Sequence, residues 1–267
     1  MSTPAATLFH SESALAHLQA AEDRHFWFAS RNRYIDSFFQ MQGVAPGSSV
    51  LEVGCGSGTV LRHLHHAGYD VAGVELNPEL ADAARHRLPG TRVLAGNVCD
   101  ESITRSLGAF DVVSLFDVLE HAPDPDAMLQ GCSRAMKPGG LLIGTVPSLQ
   151  LLWSAMDDVS GHRVRHTRSS LRGELKSAGF EPVAINYFFQ SLVPVIWWQR
   201  RSLRQTVTDK KQEEELNRII EQGLQLPHPI TNSIARLVCG VERRLSYIAP
   251  LRAIPGASLL FAARFVG

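Results

Sequence analysis

Residues 50–58 read VLEVGCGSG, a short apolar run that leads directly into a glycine-rich turn. Glycine adopts positive φ angles at no steric cost and lets a ligand approach the backbone closely. A helix is predicted from residue 59 to 67, and the free N–H groups at a helix start attract negatively charged groups. A strand, a glycine turn and a helix in this order are typical of nucleotide sites at the carboxyl end of a parallel strand.

Strands and helices alternate on both sides of this turn. The alternation predicts right-handed crossovers and a parallel sheet that is covered by helices on both faces. Further strands are predicted at 69–76, 92–95, 110–116, 141–146 and 180–189, and residues 258–267 resemble a seventh. Helices are predicted at 13–42, 78–88, 124–136 and 169–178, with Lys137-Pro138-Gly139-Gly140 as a turn.

The spacing of glycines and carboxylates favours one kind of nucleotide. A dinucleotide fingerprint needs G-x-G-x-x-G to hold a pyrophosphate, and Thr59 stands where its third glycine would be. Glu52 precedes the turn, where a carboxylate suits an amino group better than a pyrophosphate. Glu75 ends the next strand, where an acid can accept both hydroxyls of a ribose. A ligand with a ribose, an amine and a carboxylate but no phosphate is S-adenosylmethionine.

Four segments together resemble the class I S-adenosylmethionine-dependent methyltransferases. They are LEVGCGSG (51–58), GVELNP (73–78), FDVVSLFDVLEHAPDP (110–125) and MKPGG (136–140), and the resemblance covers about residues 48–147. The LEH run at 119–121 is similar to the branch that includes quinone-biosynthesis methyltransferases. The resemblance implies a Rossmann-like, seven-stranded α/β sheet with six parallel strands, an antiparallel last strand, helices on both faces, and a helical insertion before that strand.

The same resemblance implies cofactor roles for matching positions. Glu52 and the turn would hold the methionine end of S-adenosylmethionine, and Glu75 would bind its ribose beside Leu76 at the adenine. The third motif usually offers an acid to the adenine amino group, but this chain has Asn97 and Val98 there. The complete set of predicted cofactor residues is Arg31, Glu52, Gly54, Cys55, Gly56, Ser57, Gly58, Glu75, Leu76, Asn97, Val98, Phe116, Asp117 and His121.

The resemblance implies methyl transfer to an oxygen or a nitrogen of a small-molecule or lipid-like acceptor, and three histidines are candidate bases for it. A base is needed when the acceptor keeps a proton at neutral pH, as a hydroxyl does. His121 follows the fourth strand, whereas His162 and His166 follow the fifth in a run resembling the D-x3-GH-x-RR-[YH]-T pattern of many bacterial methyltransferases. The alternative for His121 is that it only forms a hydrogen bond to a loop. The alternative for His162 is that it caps the next helix. Two other groups of residues each have two possible roles. Three arginines form either a solvent-exposed face or a clamp for an anion: Arg163, Arg165 and Arg168. Three aromatic residues either pack within a helix or cover the cofactor: Phe26, Trp27 and Phe28.

The charge distribution separates the two halves of the 267-residue chain. The formal net charge is zero, with 26 Lys and Arg against 26 Asp and Glu, so a main role in gripping a nucleic-acid backbone is not expected. Residues 1–150 carry 10 basic and 16 acidic side chains, whereas residues 151–267 carry 16 and 10. The two halves are therefore expected to face different partners.

Cysteines and terminal sequence indicate a reducing compartment. Cys55, Cys99, Cys132 and Cys239 form no C-x-x-C pair, so neither a disulfide framework nor a metal site is predicted. No secretory signal or spanning helix is visible, which favours a cytoplasmic location. Surface positions are predicted for three histidines, His63, His65 and His66.

The predicted domains are an N-terminal helical cap (1–46), a cofactor-binding core (47–189), a helical insertion or lid (190–256) and the last core strand (257–267). The insertion begins with an apolar, tryptophan-containing stretch and a basic flank. Residues 188–204 have two possible roles. They either contact the inner membrane face peripherally and bind a lipid-like acceptor, or they form an ordinary helix packed over the active site. Two further functions stay open: an NAD-dependent oxidoreductase on a similar sheet, and a non-catalytic protein that binds the cofactor or docks on a membrane.

Overall fold

A computed structural model describes residues 24–202, 226–246, 248 and 251–266. The chain divides into two compact units. The sheet unit comprises Tyr34–Pro147, His166–Asn186 and Leu259–Gly267, and the helical unit comprises Met1–Arg33, Ser148–Arg165 and Tyr187–Ser258. The domain boundaries predicted at residues 46, 189 and 256 remain a prediction.

The sheet has seven strands in the order β3-β2-β1-β4-β5-β7-β6. β1 pairs in parallel with β2 on one side and with β4 on the other, through Val50↔Val71 and Val50↔Val112. Six strands are parallel and β7 is antiparallel, so the predicted fold class is confirmed. The strands are β1 (Ser49–Val53), β2 (Asp70–Glu75), β3 (Arg92–Ala95), β4 (Phe110–Phe116), β5 (Met136–Pro147), β6 (Phe180–Phe188) and β7 (Ser258–Phe265).

Nine α-helices accompany these strands within the described residues. They are α1 (Phe26–Met41), α2 (Thr59–His66), α3 (Pro78–Arg87), α4 (Glu101–Leu107), α5 (Pro125–Arg134), α6 (Ala155–Val159), α7 (Arg168–Ser177), α8 (Val193–Ser202) and α9 (Pro229–Leu245). α1 lies within the helix predicted at 13–42, of which residues 13–23 fall outside the described part. Among the described residues, no helix combines the length and the apolar character that a bilayer crossing requires.

The core of the sheet unit lies around the central strands. Leu51 on β1, Val113 on β4 and Ile143 on β5 are fully buried. Such strands read as nearly continuous apolar runs because a parallel sheet is covered on both faces. Burial of each of these side chains contributes about 1.5–3 kcal/mol. These strands form the rigid support from whose carboxyl ends the candidate site extends.

Three local elements differ from the prediction, one of them the short helix α6, which was not predicted. The turn predicted at Lys137-Pro138-Gly139-Gly140 belongs to β5, and the register against β4 shifts between Phe110 and Val112. The short helix α4 was not predicted. Its start is capped by Asp100, whose side chain accepts a hydrogen bond from Ser102 N at 2.8 Å.

In the helical unit, side chains of α9 bind the start of α1 and the turn that precedes α8. Asn232 Oδ1 accepts from Phe26 N, at the beginning of α1, at 2.7 Å. Glu242 accepts from Gln190 N at 2.9 Å and from Ser191 N at 2.8 Å, just before α8. The first N–H groups of a helix have no partner within the helix, so Asn232 stabilises the start of α1, whereas Glu242 fixes the turn that precedes α8. Tertiary contacts therefore fix α9 through its polar groups.

Candidate functional site

The turn after β1 contains three glycines with positive φ: 69° at Gly54, 52° at Gly56 and 82° at Gly58. A Cβ on Gly54 would lie 2.7 Å from Val118 Cγ2, and one on Gly58 would lie 3.0 Å from Ala84 Cβ. A Cβ on Gly56 would meet no atom within 4 Å. Close packing accounts for Gly54 and Gly58, whereas Gly56 leaves its backbone open to a ligand.

Glu75, at the end of β2, is fixed against this turn. Its Oε2 accepts a hydrogen bond from Gly56 N at 2.9 Å, and its Oε1 accepts from Asn77 N at 2.9 Å. The residue is 9% exposed, so little of it is open to solvent. Each carboxylate oxygen keeps a further lone pair, so Glu75 can accept additional hydrogen bonds in a fixed orientation.

Two predicted cofactor residues lie buried beside the turn. Glu52 is buried in β1, and Cys55 packs closely over β2, since a Cβ on Gly73 would lie 2.7 Å from Cys55 Sγ. Burial, with the Glu52 and Glu75 carboxylates adding to it, raises the pKa of the Cys55 thiol far above its usual range. Cys55 is therefore a protonated packing residue of the turn. Ser57 is also buried.

The predicted adenine-side residues follow β2 and β3. Leu76 is 70% exposed although it is apolar, and it adjoins Glu75 in the chain. Asn97 is exposed, and its Oδ1 accepts from Cys99 N at 2.9 Å, which stabilises the turn after β3. Val98 is buried. An exposed leucine at this strand end offers an apolar surface to a flat ring.

The end of β4 holds Asp117 in an unusual conformation. Its φ is 57°, a left-handed value that non-glycine residues seldom adopt and that clusters at functional sites. Thr145 Oγ1 on β5 donates to Asp117 Oδ1 at 2.9 Å, and Asp117 N donates to the Thr145 carbonyl at 3.0 Å. Phe116 is buried before it, and His121 lies half-buried in a 3-10 turn, Leu119–His121. Thr145 was not predicted as a site residue, because only the pairing of β4 with β5 places it beside Asp117.

A second cluster, in the helical unit, centres on Asp157 in α6. This residue is 1% exposed. Its Oδ1 lies 2.9 Å from His162 Nδ1 and accepts from Arg165 Nε at 2.7 Å. Its Oδ2 accepts from Ser154 N at 3.0 Å and from Arg200 Nη1 at 2.8 Å. One carboxylate therefore joins the loop after β5 to α8.

The cluster has the electrostatics of a buried ion network. Burial alone would raise the pKa of Asp157, but the His162 hydrogen bond and the Arg165 and Arg200 charges lower it to about 2. Burial and the neighbouring Arg165 charge lower the pKa of Arg200 to about 10. Asp157 and Arg200 therefore both stay ionised at neutral pH. Because an ionised carboxylate only accepts hydrogen bonds, His162 Nδ1 donates, and Nε2 is the nitrogen that can take up a proton.

The structure corrects several expectations about basic residues. Arg165 is neither a solvated residue nor an anion clamp, because it is buried against Asp157. Arg200, expected in the basic flank of residues 188–204, turns inward to Asp157 and to the Leu152 carbonyl. His63 is half-buried rather than on the surface, and its Nε2 lies 2.7 Å from Asp36 Oδ1.

His166 is a poor base in this structure. It is 2% exposed, neither ring nitrogen hydrogen-bonds to a described residue, and Nδ1 lies 3.4 Å from Glu174 Oε2. Burial lowers its pKa to about 4, so the ring is neutral at pH 7. A base must touch the proton that it removes, so the prediction that His166 is catalytic has no support in this geometry.

The predicted site residues belong to both units. Those from Glu52 to His121 follow β1 to β4 at the carboxyl edge of the sheet unit. Arg31 and His162 belong to the helical unit. The Arg31 guanidinium is buried and lies 5.4 Å from the Phe28 ring centre, while Trp27 lies 4.3 Å from Phe189 between ring centres. Phe28 and Trp27 therefore pack within the helical unit, as one of the two expectations had it.

A family model described as a methyltransferase domain matches residues 6–185. The chain belongs to this family. The expected methyltransferase resemblance is thereby confirmed, and the relatives described next confirm its similarity to quinone-biosynthesis enzymes.

Two curated relatives are named ubiquinone biosynthesis O-methyltransferase. The Coxiella burnetii protein is 33% identical over 107 residues, which are 39% of this chain and 46% of that protein. The Xanthomonas oryzae pv. oryzae protein is 37% identical over 99 residues, 36% of this chain and 41% of that protein. The chain thus spans less than half the length of these curated relatives.

A solved structure supports the fold over a longer stretch. It is phosphoethanolamine N-methyltransferase 2 of Haemonchus contortus, in complex with S-adenosyl-L-methionine. The TM-score is 0.55 at 19% identity, and the match covers 88% of this chain and 53% of that chain. At this identity the likeness shows the architecture alone.

Proposed function

We propose that this member of the methyltransferase family moves the methyl group of S-adenosylmethionine to an oxygen of a small or lipid-like acceptor, releasing S-adenosylhomocysteine. The observation that carries the proposal is the fixed Glu75 carboxylate beside the open backbone of Gly56. The curated relatives named as O-methyltransferases support the oxygen-directed form of the reaction.

The residues at the carboxyl edge of the sheet fit this cofactor. Gly56 leaves room above the turn, Glu75 can accept ribose hydroxyls, and exposed Leu76 can cover the adenine ring. The Glu52, Glu75 and Asp117 carboxylates suit a ligand with cationic centres, whereas they would repel a pyrophosphate. This charge pattern favours S-adenosylmethionine over the alternative of a nicotinamide dinucleotide.

When bound, S-adenosylmethionine supplies a methyl group on a positively charged sulfur. The chain's own contribution is alignment, which can contribute ~7–11 kcal/mol to a barrier. Asp117 is positioned for that role, because Thr145 holds both its carboxylate and its backbone N–H. We propose three further residues of the cofactor pocket: Arg31, Asn97 and His121.

His162 is the proposed base for a hydroxyl acceptor. Asp157 fixes its Nδ1 as a donor, so Nε2 presents the lone pair that can receive the acceptor proton. Arg165 and Arg200 keep Asp157 ionised and in place. This arrangement favours a proton-accepting role for His162 over the alternative of a helix cap, since α7 is capped by Thr167.

The location and partners follow from charge and composition. We propose a cytoplasmic protein without a nucleic-acid partner, with a core at 47–189 and 257–267, a cap at 1–46 and an acceptor-selecting insertion at 190–256. Residues 188–204 are the proposed peripheral contact with the inner membrane face, because Val195 and Trp198 on α8 are exposed.

The direct test is transfer of labelled methyl groups from S-adenosylmethionine to phenolic acceptors with short and long alkyl tails. We expect a labelled methyl ether from at least one acceptor and none from His162→Gln at comparable cofactor binding. A chain that binds S-adenosylmethionine yet labels nothing in any cell extract fraction would support the non-catalytic alternative. Binding of NAD in place of S-adenosylhomocysteine would support the oxidoreductase.

A further inference from the structure

Helix α9 presents its apolar side chains outward. Six large apolar residues on it are 39–69% exposed: Ile230, Ile234, Leu237, Val238, Val241 and Leu245. At 3.6 residues per turn they fall within an arc of about 100°, and we call this arc the α9 stripe. A surface helix usually turns such a stripe toward the core. The α9 stripe does the opposite.

The opposite side of α9 explains this orientation. Cys239 is buried there and Asn232 caps α1, while buried Glu242, at the flank of the helix, binds the turn before α8. The helix is thus attached to the helical unit through polar groups, and its orientation is fixed by hydrogen bonds. Rotation of α9 to bury the stripe would break these hydrogen bonds. The exposed stripe is therefore a consequence of specific contacts within the helical unit.

The charges around the stripe have one sign. Between residues 226 and 258 the only acid is Glu242, which is buried and engaged. Of the basic residues of this segment, Arg236 and Arg243 fall on the side of α9 opposite the stripe, and Arg252 lies beyond the end of the helix. Arg244 is exposed and, by helical geometry, borders the stripe. The outward surface of α9 is consequently apolar, with the exposed Arg244 charge at its border.

We propose that the α9 stripe docks on a membrane surface that contains anionic lipid. An interfacial helix buries an apolar face among the acyl chains while basic side chains meet anionic headgroups, and α9 has both features. A second copy fits less well. A two-fold contact through the stripe would bring two copies of the exposed Arg244 charge into one apolar interface, with no exposed acid on α9 to neutralise them. This surface differs from residues 188–204, whose Arg200 is engaged by Asp157.

The test is flotation of the full-length chain with vesicles of phosphatidylglycerol and phosphatidylcholine, and with phosphatidylcholine alone. We expect binding to the anionic vesicles that weakens with added salt and is weaker on the neutral ones. The double variant Leu237→Ser/Val241→Ser should reduce the bound fraction by about tenfold or more. Arg244→Gln should weaken binding to anionic vesicles only. The matched control, Met41→Ser/Val183→Ser, replaces exposed apolar residues of the sheet unit and should bind as the wild type does.

Three results would overturn the proposal. The first is a wild-type chain that is folded by circular dichroism yet fails to float with anionic vesicles. The second is loss of binding in Trp198→Ser while Leu237→Ser/Val241→Ser binds normally, which would assign the contact to α8. The third is a dimer by light scattering that Leu237→Ser/Val241→Ser dissociates, which would show that a second copy covers the stripe. Vesicle binding needs no methyl transfer, so failure of the proposed activity would not affect this test.

Discussion

Asp157 Oδ1 lies 2.9 Å from His162 Nδ1, so a buried carboxylate fixes the orientation of a half-buried imidazole. The same carboxylate meets Arg165 and Arg200, which keeps it ionised. The relationship links a proposed catalytic group to a structural network. Removal of the Asp157 charge should therefore lower mainly the free energy of unfolding, whereas removal of the His162 imidazole should lower mainly kcat.

Replacement of Asp157 by Asn should lower stability strongly. Asparagine keeps an acceptor oxygen but removes the charge that faces two buried guanidinium groups, and breaking a buried ion pair costs about 3–5 kcal/mol. Urea unfolding measures the change in the free energy of unfolding. The control is Asp158→Asn at the next, exposed position, which should change it by about 0.5 kcal/mol or less. Equal effects of the two substitutions would contradict the network's role.

Replacement of His162 by Gln should lower kcat by about 10²–10⁴-fold, the usual contribution of a general base. The affinity for S-adenosylhomocysteine should stay close to the wild-type value. Exposed His65→Gln serves as the control and should retain full activity. An active His162→Gln enzyme would show that the acceptor loses its proton without this residue.

Replacement of Glu75 by Gln should weaken cofactor binding. Its amide group can accept through only one of its two terminal atoms, so one of the bonds from Gly56 N and Asn77 N is lost together with acceptance of ribose hydroxyls. Hydrogen bonds to charged groups contribute about 1.5–3 kcal/mol, so the Kd for S-adenosylhomocysteine should rise roughly 10- to 100-fold. Titration calorimetry measures this rise, with Glu79→Gln on α3 as the control that should bind normally.

Alanine substitutions should separate the roles of two glycines. Gly56→Ala meets no neighbouring atom, so it should cost only the ~1–2 kcal/mol of a left-handed alanine but strongly reduce binding of S-adenosylhomocysteine. Gly54→Ala has the same backbone strain, and its Cβ would also lie 2.7 Å from Val118 Cγ2. This variant should therefore unfold at a lower temperature than Gly56→Ala. Thermal unfolding with and without ligand distinguishes the two. Normal ligand binding by Gly56→Ala would argue against an open cradle at this residue.

His166 should make stability depend on pH in a defined window. Its pKa is about 4 in the folded chain against an ordinary 6.5, so between these values the unfolded chain binds a proton that the folded chain does not. Stability from this residue is complete above pH 6.5 and is lost as the pH falls toward 4, on the order of 3 kcal/mol in total. His166→Leu should remove this part of the slope in urea unfolding at several pH values. An unchanged slope would mean that His166 is not buried as a neutral ring.

The sequence was sufficient to predict those elements that depend only on residues close together in the chain. The predicted limits of β3 and β4 agree with the structure, and Asn77 before Pro78 begins α3 with its side chain accepting from Glu79 N. The glycine turn and Glu75 also follow from spacing in one strand-turn-helix unit. The short helix α4 was missed because its seven residues give too little periodicity to distinguish it from a loop.

Long-range contacts could not be predicted in the same way. Nothing in the pattern around Arg200 indicates that it reaches Asp157, 43 residues earlier, or that Glu242 binds the turn at Gln190. The basic flank of Trp198 therefore looked solvated from the sequence, although the structure buries part of it. Likewise, an amphipathic stretch near Ile234 was visible, but only the hydrogen bonds of Asn232 and Glu242 determine that its apolar side faces outward.

The most direct measurement is calorimetric titration of the folded full-length chain with S-adenosylhomocysteine and, separately, with NAD. The account predicts saturable binding of one S-adenosylhomocysteine per chain that is weakened in Gly56→Ala and unchanged in Glu79→Gln, with no binding of NAD. A folded chain that binds no S-adenosylhomocysteine, or that binds NAD at the same turn, would contradict it.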